Sequence, residues 1–289
     1  MTRFFYLFVK CCVVACLLSM TTLSAWAGIR IESPDHVDVG MPFFLRVFGP
    51  ENFREITFRW QDKDLTVLAV AGEHGREAVV LLGVCLESPL GVQRIDGTVQ
   101  KGDQRLPFTH EVHVQPRTFP EQWLQVAREM VSPDQSLHPR IEEERRKVRA
   151  ALERVTPDRL WETPFVRPVS GNISSEFGLR RFFNDQPRAP HRGVDLRGAE
   201  GTLVRAFSNG KVVLTGDHFF AGRSVYIDHG LGVVTQYIHL SEVTVQEGQK
   251  IIAGEPIGKV GATGRVTGPH LHFGLSILGF WVDPLALLD

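Results

Sequence analysis

The stretch Thr267-Gly268-Pro269-His270-Leu271-His272-Phe273-Gly274 places two imidazoles two residues apart. Side chains alternate along a strand, so His270 and His272 share one face and Leu271 takes the other. Gly268-Pro269 breaks the preceding segment and lets a strand begin just before the pair. Two imidazoles on one face make half of a divalent-metal site, and a carboxylate or further histidines are needed to complete it. Pro190-His191-Arg192-Gly193-Val194-Asp195-Leu196 offers a compact His/carboxylate pair. An offset of four sets His191 and Asp195 on one side of either a strand or a helical turn, and the proline and Gly193 favour an extended entry. Thr235-Gln236-Tyr237-Ile238-His239-Leu240 reads as a strand with His239 on the same face as Tyr237. Four histidines and one aspartate are thus available in three short segments.

Other histidines carry a plainer reading. His229 lies in an Asp-His-Gly turn, and His218 precedes Phe219-Phe220. His110-Glu111-Val112-His113 is one residue short of the H-E-x-x-H zinc pattern, and on a strand its two histidines point to opposite faces.

The three segments, in this order, resemble the lysostaphin-type or LytM-like zinc metallopeptidases, which cut peptides in bacterial cell walls. The resemblance rests on His191-x-x-x-Asp195, Tyr237-Ile238-His239-Leu240 and His270-Leu271-His272. Ser175-Glu176-Phe177-Gly178-Leu179-Arg180, Ile227-Asp228-His229-Gly230, Gly261-Ala262-Thr263-Gly264 and Trp281-Val282-Asp283-Pro284 also match. It spans roughly residues 164–289 and does not extend as clearly over 28–117. The resemblance implies that His191, Asp195 and His272 bind one zinc ion per chain, with His239 and His270 left for catalysis. Chemistry agrees with that division: a catalytic zinc keeps three protein ligands and one open position, which five protein ligands would close. The implied activity is a zinc metalloendopeptidase acting on peptidoglycan peptides. The rival from another class is a non-catalytic wall-binding or regulatory relative that activates a separate hydrolase. Such relatives have lost ligands, and none is missing here.

The surrounding elements must position this set. From 28 to 117 the pattern is all β: Ile56, Phe58 and Trp60 alternate with Thr57 and Arg59, and further apolar runs occupy 43–47, 65–69, 78–84, 92–99 and 109–114. About seven short strands between Gly and Pro turns predict an immunoglobulin-like β-sandwich. Residues 118–165 form a connector with one helix. Pro139 suits its first turn, Glu142, Glu143 and Glu144 precede Arg145, Arg146, Lys147 and Arg149, and Ile141, Val148, Leu152 and Val155 form an apolar stripe for docking on a neighbouring domain. The Glu142–Arg146 and Glu143–Lys147 pairs are expected on a solvated face, and Pro157 is expected to end the helix. Residues 166–289 return to short strands, 203–207, 211–214, 224–228, 233–239 and 257–260, as an antiparallel β peptidase domain of LytM type. The polar segment 181–190 reads as a rim loop. The fold class is therefore mainly β.

Residues 1–27 read as a signal peptide: Arg3 and Lys10, an apolar core, then Ala25-Trp26-Ala27 as the cleavage site. That core is short for a span of about 20 residues, which disfavours a membrane anchor. The protein is expected to be exported to the periplasm or cell envelope. Three of four cysteines lie in this leader, so Cys85 is left alone and reads as a buried structural thiol. The formal net charge of -1 becomes -3 without the leader, and no basic tract suggests nucleic acid. With 289 residues, two domains can each bury a core. A monomer is expected, with the N-terminal domain as the place for an envelope protein partner.

Overall fold

Alternation along the N-terminal strands is what builds the first core. In Phe53–Trp60, Ile56, Phe58 and Trp60 are buried while Thr57 and Arg59 are not. Gln61 and Asp62 adopt left-handed backbone at φ 44° and 64°, closing a two-residue turn into Lys63–Leu68. The computed structural model describes residues 24–26 and 28–288. The leader and its cleavage site lie outside the described residues, except that Ser24–Trp26 pairs antiparallel with Ile29–Glu32. Among the described residues no helix is long and apolar enough to cross a membrane.

Two five-stranded sheets arise from residues 24–115. One runs Ser24–Trp26, Ile29–Glu32, Pro42–Gly49, Gly75–Gly83, Val70–Gly72; the other runs His36–Asp38, Gln104–Gln115, Gly91–Lys101, Phe53–Trp60, Lys63–Leu68. Pairing is antiparallel except where His36–Asp38 runs parallel to Gln104–Gln115. His110 is buried against the Ser33 hydroxyl at 2.6 Å and His113 points outward, as their odd offset requires. Cys85 is half-buried rather than buried, 3.2 Å from the Ser88 hydroxyl.

The apolar core of these sheets continues into the C-terminal half. Trp161, Leu231, Val233, Leu275, Ile277 and Val282 belong to the same buried cluster as Leu45, Val80 and Ile95. Arg117 pairs with Asp283 at 2.9 Å across this junction. The C-terminal half also buries a core of its own, which includes Val194, Val225, Tyr237 and Phe273, so the junction is shared in addition to that core. The apolar face of His270–Ile277 beyond the site has no cover of its own and takes it from the N-terminal sheets.

The connector helix spans His138–Leu152, with Pro139 in its first turn, and ends well before Pro157. Ala151 and Leu152 are buried with Leu214, Tyr226 and Val234, and Val148 packs against them. Val155 falls beyond the helix and is exposed. Arg145 takes Glu142 at 2.5 Å in place of the expected Arg146, which pairs with Glu143 alongside Lys147. The charged face also does more than meet solvent. Glu144 accepts from the Phe219 amide at 2.8 Å and Arg140 donates to the Asp217 carbonyl at 2.9 Å, tying the helix to the loop over the site.

The C-terminal sheet has ten strands, with the central order Ile173–Ser175, Val194–Arg197, His270–Ile277, Val233–Val243, Gly222–Asp228, Gly210–His218. Within 181–190 the structure departs from a loop. Arg180–Phe183 pairs parallel with Glu121–Leu124 and antiparallel with Gln186–Pro187, so the connector's first residues and the site's rim form one small sheet.

Candidate active site

Register brings the first ligand candidates together. Val194–Arg197 lies antiparallel to His270–Ile277 with Asp195 opposite His272. Directly opposed residues share a face, so Asp195, His272 and His270 look the same way while Leu271 and Phe273 enter the core. His191 arrives from the extended lead-in, held by its backbone amide on the Leu179 carbonyl at 2.9 Å. Its Nδ1 donates to the Glu176 carbonyl at 2.7 Å, which leaves Nε2 aimed at the other two residues. His191 Nε2 lies 3.0 Å from Asp195 Oδ1 and 2.9 Å from His272 Nδ1, and His272 Nδ1 lies 2.8 Å from Asp195 Oδ1. Gly193 is required between them. A Cβ there would stand 2.4 Å from the Phe273 carbonyl oxygen and 2.8 Å from His272 Nε2.

His239 reaches the site by a different route from the one its strand position suggests. Tyr237 faces the core, ring to ring with Phe273 at 5.3 Å, and a regular strand would send His239 after it. The backbone at His239 is instead left-handed, φ 68°, where the pairing register shifts. This bulge turns the imidazole onto the opposite face, 5.1 Å from the His270 ring and 6.2 Å from the His272 ring. The shared face of Tyr237 and His239 is therefore corrected, while His239 still joins the cluster. Its Nδ1 donates to the Thr263 carbonyl at 2.8 Å, and that of His270 to the Gly268 carbonyl at 2.9 Å. Both rings so keep Nε2 available, and His270 Nε2 lies 3.7 Å from Asp195 Oδ1.

One contributor escapes the sequence. Arg181 donates to Asp195 Oδ2 at 2.7 Å, to the Ser175 hydroxyl at 3.0 Å and to Gln122 Oε1 at 2.9 Å. Arg180, next to it, points away to Glu121 at 2.5 Å. The only signal available was strand alternation between two adjacent arginines, and a loop reading hides it.

Burial opposes ionisation of Asp195, but the hydrogen bonds of His191 and His272 outweigh it and hold the carboxyl well below its usual range. Burial pushes the His272 imidazole down to about 4, and burial followed by the His272 and His270 charges pushes His239 well below its ordinary value. At neutral pH these rings are uncharged, with lone pairs free to bind a metal or accept a proton. Among the described residues, His191, Asp195 and His272 are the group whose ligand atoms converge closely enough for a metal ion. Two imidazole nitrogens and one carboxylate oxygen, buried and with His191 oriented by a carbonyl, fit the donor set of an open catalytic zinc site.

The site opens into a cleft of about 1100 Å³, walled by Ile141, Val148 and Leu152 of the helix on one side and by Phe183 and Phe220 elsewhere. His218 reaches this cleft but bonds the Ser224 hydroxyl at 2.7 Å. His229 is buried between the Asn209 carbonyl and the Thr235 hydroxyl, each at 2.7 Å. Both histidines keep structural roles.

Residues 189–284 match the family model for peptidase family M23. A solved structure of a putative peptidase M23 from Pseudomonas aeruginosa aligns over 81% of this chain and 88% of its own, at 32% identity and TM-score 0.62. The chain belongs to peptidase family M23. His191, Asp195, His239, His270 and His272 all fall within the span matched by the M23 model, and Arg181 falls before it. The chain is also 47% identical over 108 residues to the peptidoglycan DD-endopeptidase ShyA of Vibrio cholerae, covering 37% of this chain and 25% of ShyA. With the DD-carboxypeptidase/endopeptidase Mpg of Neisseria meningitidis it shares 42% identity over 119 residues, covering 41% of this chain and 27% of Mpg. The chain thus spans about a quarter of the length of these curated relatives.

Proposed function

We propose that this M23 chain is an exported zinc metalloendopeptidase that hydrolyses peptide cross-links in bacterial peptidoglycan. The observation that carries the reading is the convergence of His191 Nε2, Asp195 Oδ1 and His272 Nδ1 within 3.0 Å of one another, with two oriented imidazoles beside them. One zinc ion is assigned to those three atoms. When bound, it supplies a Lewis acid that polarises an amide carbonyl and acidifies water.

The remaining chemistry falls to the protein. His239 Nε2 and His270 Nε2 are fixed by carbonyl partners on the other side of each ring, so each holds a defined tautomer toward the site. Between them they accept the proton of the attacking water, hydrogen-bond the oxyanion that forms and protonate the departing amine. Burial, with the neighbouring His272 and His270, lowers the pKa of His239, so its ring is neutral at neutral pH and its Nε2 lone pair is open. Peptidoglycan as substrate is supported by the activities named for the Vibrio and Neisseria relatives. Export is supported by the leader pattern in residues 1–27. The regulatory alternative finds no support in the site, which retains every ligand and both histidines.

The test is digestion of purified peptidoglycan by the zinc-loaded full chain, with fragments identified by mass spectrometry and Asp195→Ala as control. Release of cross-link fragments is expected only from the unsubstituted chain. A wall preparation left with every amide intact would refute the enzyme reading.

A further inference from the structure

The small rim sheet has two faces, and the site uses one of them. Glu121–Leu124 lies parallel to Arg180–Phe183 with Glu121 opposite Arg180 and Trp123 opposite Phe182, and Gln186–Pro187 sets Pro187 on the other side of Phe182. Alternation divides these side chains between the faces. Gln122, Arg181 and Phe183 serve the cleft: Arg181 holds Asp195 at 2.7 Å, Gln122 accepts from Arg181 at 2.9 Å, and the Phe183 ring backs the Arg265 guanidinium at 4.9 Å. Trp123, Phe182 and Pro187 therefore form a row across the opposite face, with the Glu121–Arg180 ion pair beside it. The catalytic assignment leaves this face unused.

Folded chains mostly bury tryptophan, yet Trp123 is 56% exposed. One face of its indole is taken, because the Phe182 ring lies parallel to it with 4.1 Å between centres and 7° between planes. The exposure therefore belongs to the other face and the edge. The ring is also held, since its Nε1 donates to the Glu121 carboxylate at 3.4 Å. A flat aromatic surface is thus fixed in advance toward solvent. Such a surface carries negative charge density and attracts weakly positive C–H groups laid against it. Glu121 and Arg180 pair at 2.5 Å but stay exposed, so carboxylate lone pairs and further guanidinium N–H donors flank the ring.

Dimensions and chemistry select the occupant. Strands lie ~4.8 Å apart, so the row is roughly 10 Å long and one residue wide. Aromatic side chains bury about 150–250 Å² each, and this row falls short of the ~800 Å² that each partner buries in a stable protein interface. A sugar fits both the size and the polarity. The C–H face of a pyranose ring lies against an indole, and its rim hydroxyls bond to a carboxylate and a guanidinium. We propose that Trp123 and Phe182 form a saccharide-binding platform, which takes the glycan strand to which the substrate peptides are attached. The platform deepens the peptidase reading and rests on it for the nature of the glycan. It holds the polymer on the outer face of the strand that carries Arg181, while the cleft on the inner face takes the peptide.

The test uses the zinc-loaded full chain, labelled with ¹⁵N, and a peptide-free tetrasaccharide of β-linked N-acetylglucosamine, which offers no peptide cross-link to hydrolyse. The indole Nε1–H signal of Trp123 is identified by its absence in Trp123→Phe. That signal is expected to move and saturate as the tetrasaccharide is added. Trp123→Ala should bind about tenfold more weakly, judged from backbone amides of the rim sheet, and Trp123→Phe should keep part of the affinity. Zinc content should be the same in all three chains. A Trp123 signal that stays in place at millimolar tetrasaccharide would overturn the platform, as would an unchanged Kd in Trp123→Ala. If Trp123→Ala loses its fold, judged by zinc content, the titration of the unsubstituted chain decides alone. The wall digestion described above separates the two readings. Saccharide binding at Trp123 without any wall amide cleaved leaves the platform standing and removes the hydrolase. Cleavage without saccharide binding does the reverse.

Discussion

The two sets of imidazoles in the site differ in which nitrogen is committed to the protein scaffold. His239 and His270 spend Nδ1 on the carbonyls of Thr263 and Gly268, and each leaves Nε2 uncommitted to the backbone. His272 instead presents Nδ1 to Asp195 and His191. Removing one of the first pair takes away a proton carrier and leaves the three converging ligand atoms in place. His270→Ala and His239→Ala should therefore retain close to one zinc per chain while hydrolysis falls ~10²–10⁴-fold, the usual contribution of a positioned acid or base. Turnover within a few-fold of the unsubstituted chain would remove the residue from the mechanism. Asp195→Ala and His272→Ala each delete a ligand and should lose the metal itself, which elemental analysis after dialysis reads directly.

Strand register explains why part of this site was legible in the sequence and part was not. Alternation along 270–273 and the four-residue offset of His191 and Asp195 fix relative faces whatever the rest of the fold does, and both held. His239 was assigned to the face of Tyr237 because a regular strand requires it; the left-handed residue that turns it over leaves no mark in residue types. Arg181 was hidden in the same way, since its role depends on pairing with residues 121–124 far away in the chain. Gly193, by contrast, sits in the motif for a reason that only the packed strands reveal. Gly193→Ala would push a methyl group into the Phe273 carbonyl and the His272 ring, neither of which can move without disturbing Asp195. The substitution should cost about 1–3 kcal/mol of stability, as overpacking does, and lower zinc occupancy; a variant with unchanged melting and full metal content would contradict this account. The turn at 228–231 is fixed by a different group. His229 is fully buried, and burial holds its pKa at about 4 against an ordinary 6.5. The unfolded chain therefore takes up this proton first as pH falls. The stabilisation is complete above pH 6.5 and is lost progressively towards pH 4, by about 3 kcal/mol over that window. His229→Gln should flatten this acid limb in denaturant titrations, whereas an identical slope would place the loss at other buried histidines.

At the scale of the molecule, the C-terminal half buries a core of its own and lends one edge of its sheet to the core of the N-terminal sheets. Leu275 and Ile277 continue the strand that carries His272, and Val282 lies on the strand paired with it, yet all three are buried with Leu45, Val80 and Ile95 of the first half. Gly83 lies so close to this junction that a Cβ there would stand 2.5 Å from Val282. The Arg117–Asp283 pair and the hydrogen bond from the Asp283 amide to the Gly40 carbonyl at 2.7 Å close it at the edge. Apolar alternation reads the same whether a strand's inner face is covered by its own domain or by another, which is why chain length and pattern show two cores but not the strand face they share. A shared core predicts coupled unfolding. Calorimetry of the full chain should give one transition, and a chain beginning at residue 160 should lose most of its soluble expression or melt at a far lower temperature. The arithmetic supports a large effect: exposing even three aliphatic side chains of this kind costs roughly 1.5–3 kcal/mol each, against a total domain stability of about 5–15 kcal/mol. The truncated chain would also lose the Glu121–Leu124 strand, and with it the Gln122 contact that holds Arg181 against Asp195. Two independent transitions in the full chain, or a truncated form that melts at the same temperature and binds zinc as tightly, would show that the junction is a contact between separate domains and not a core.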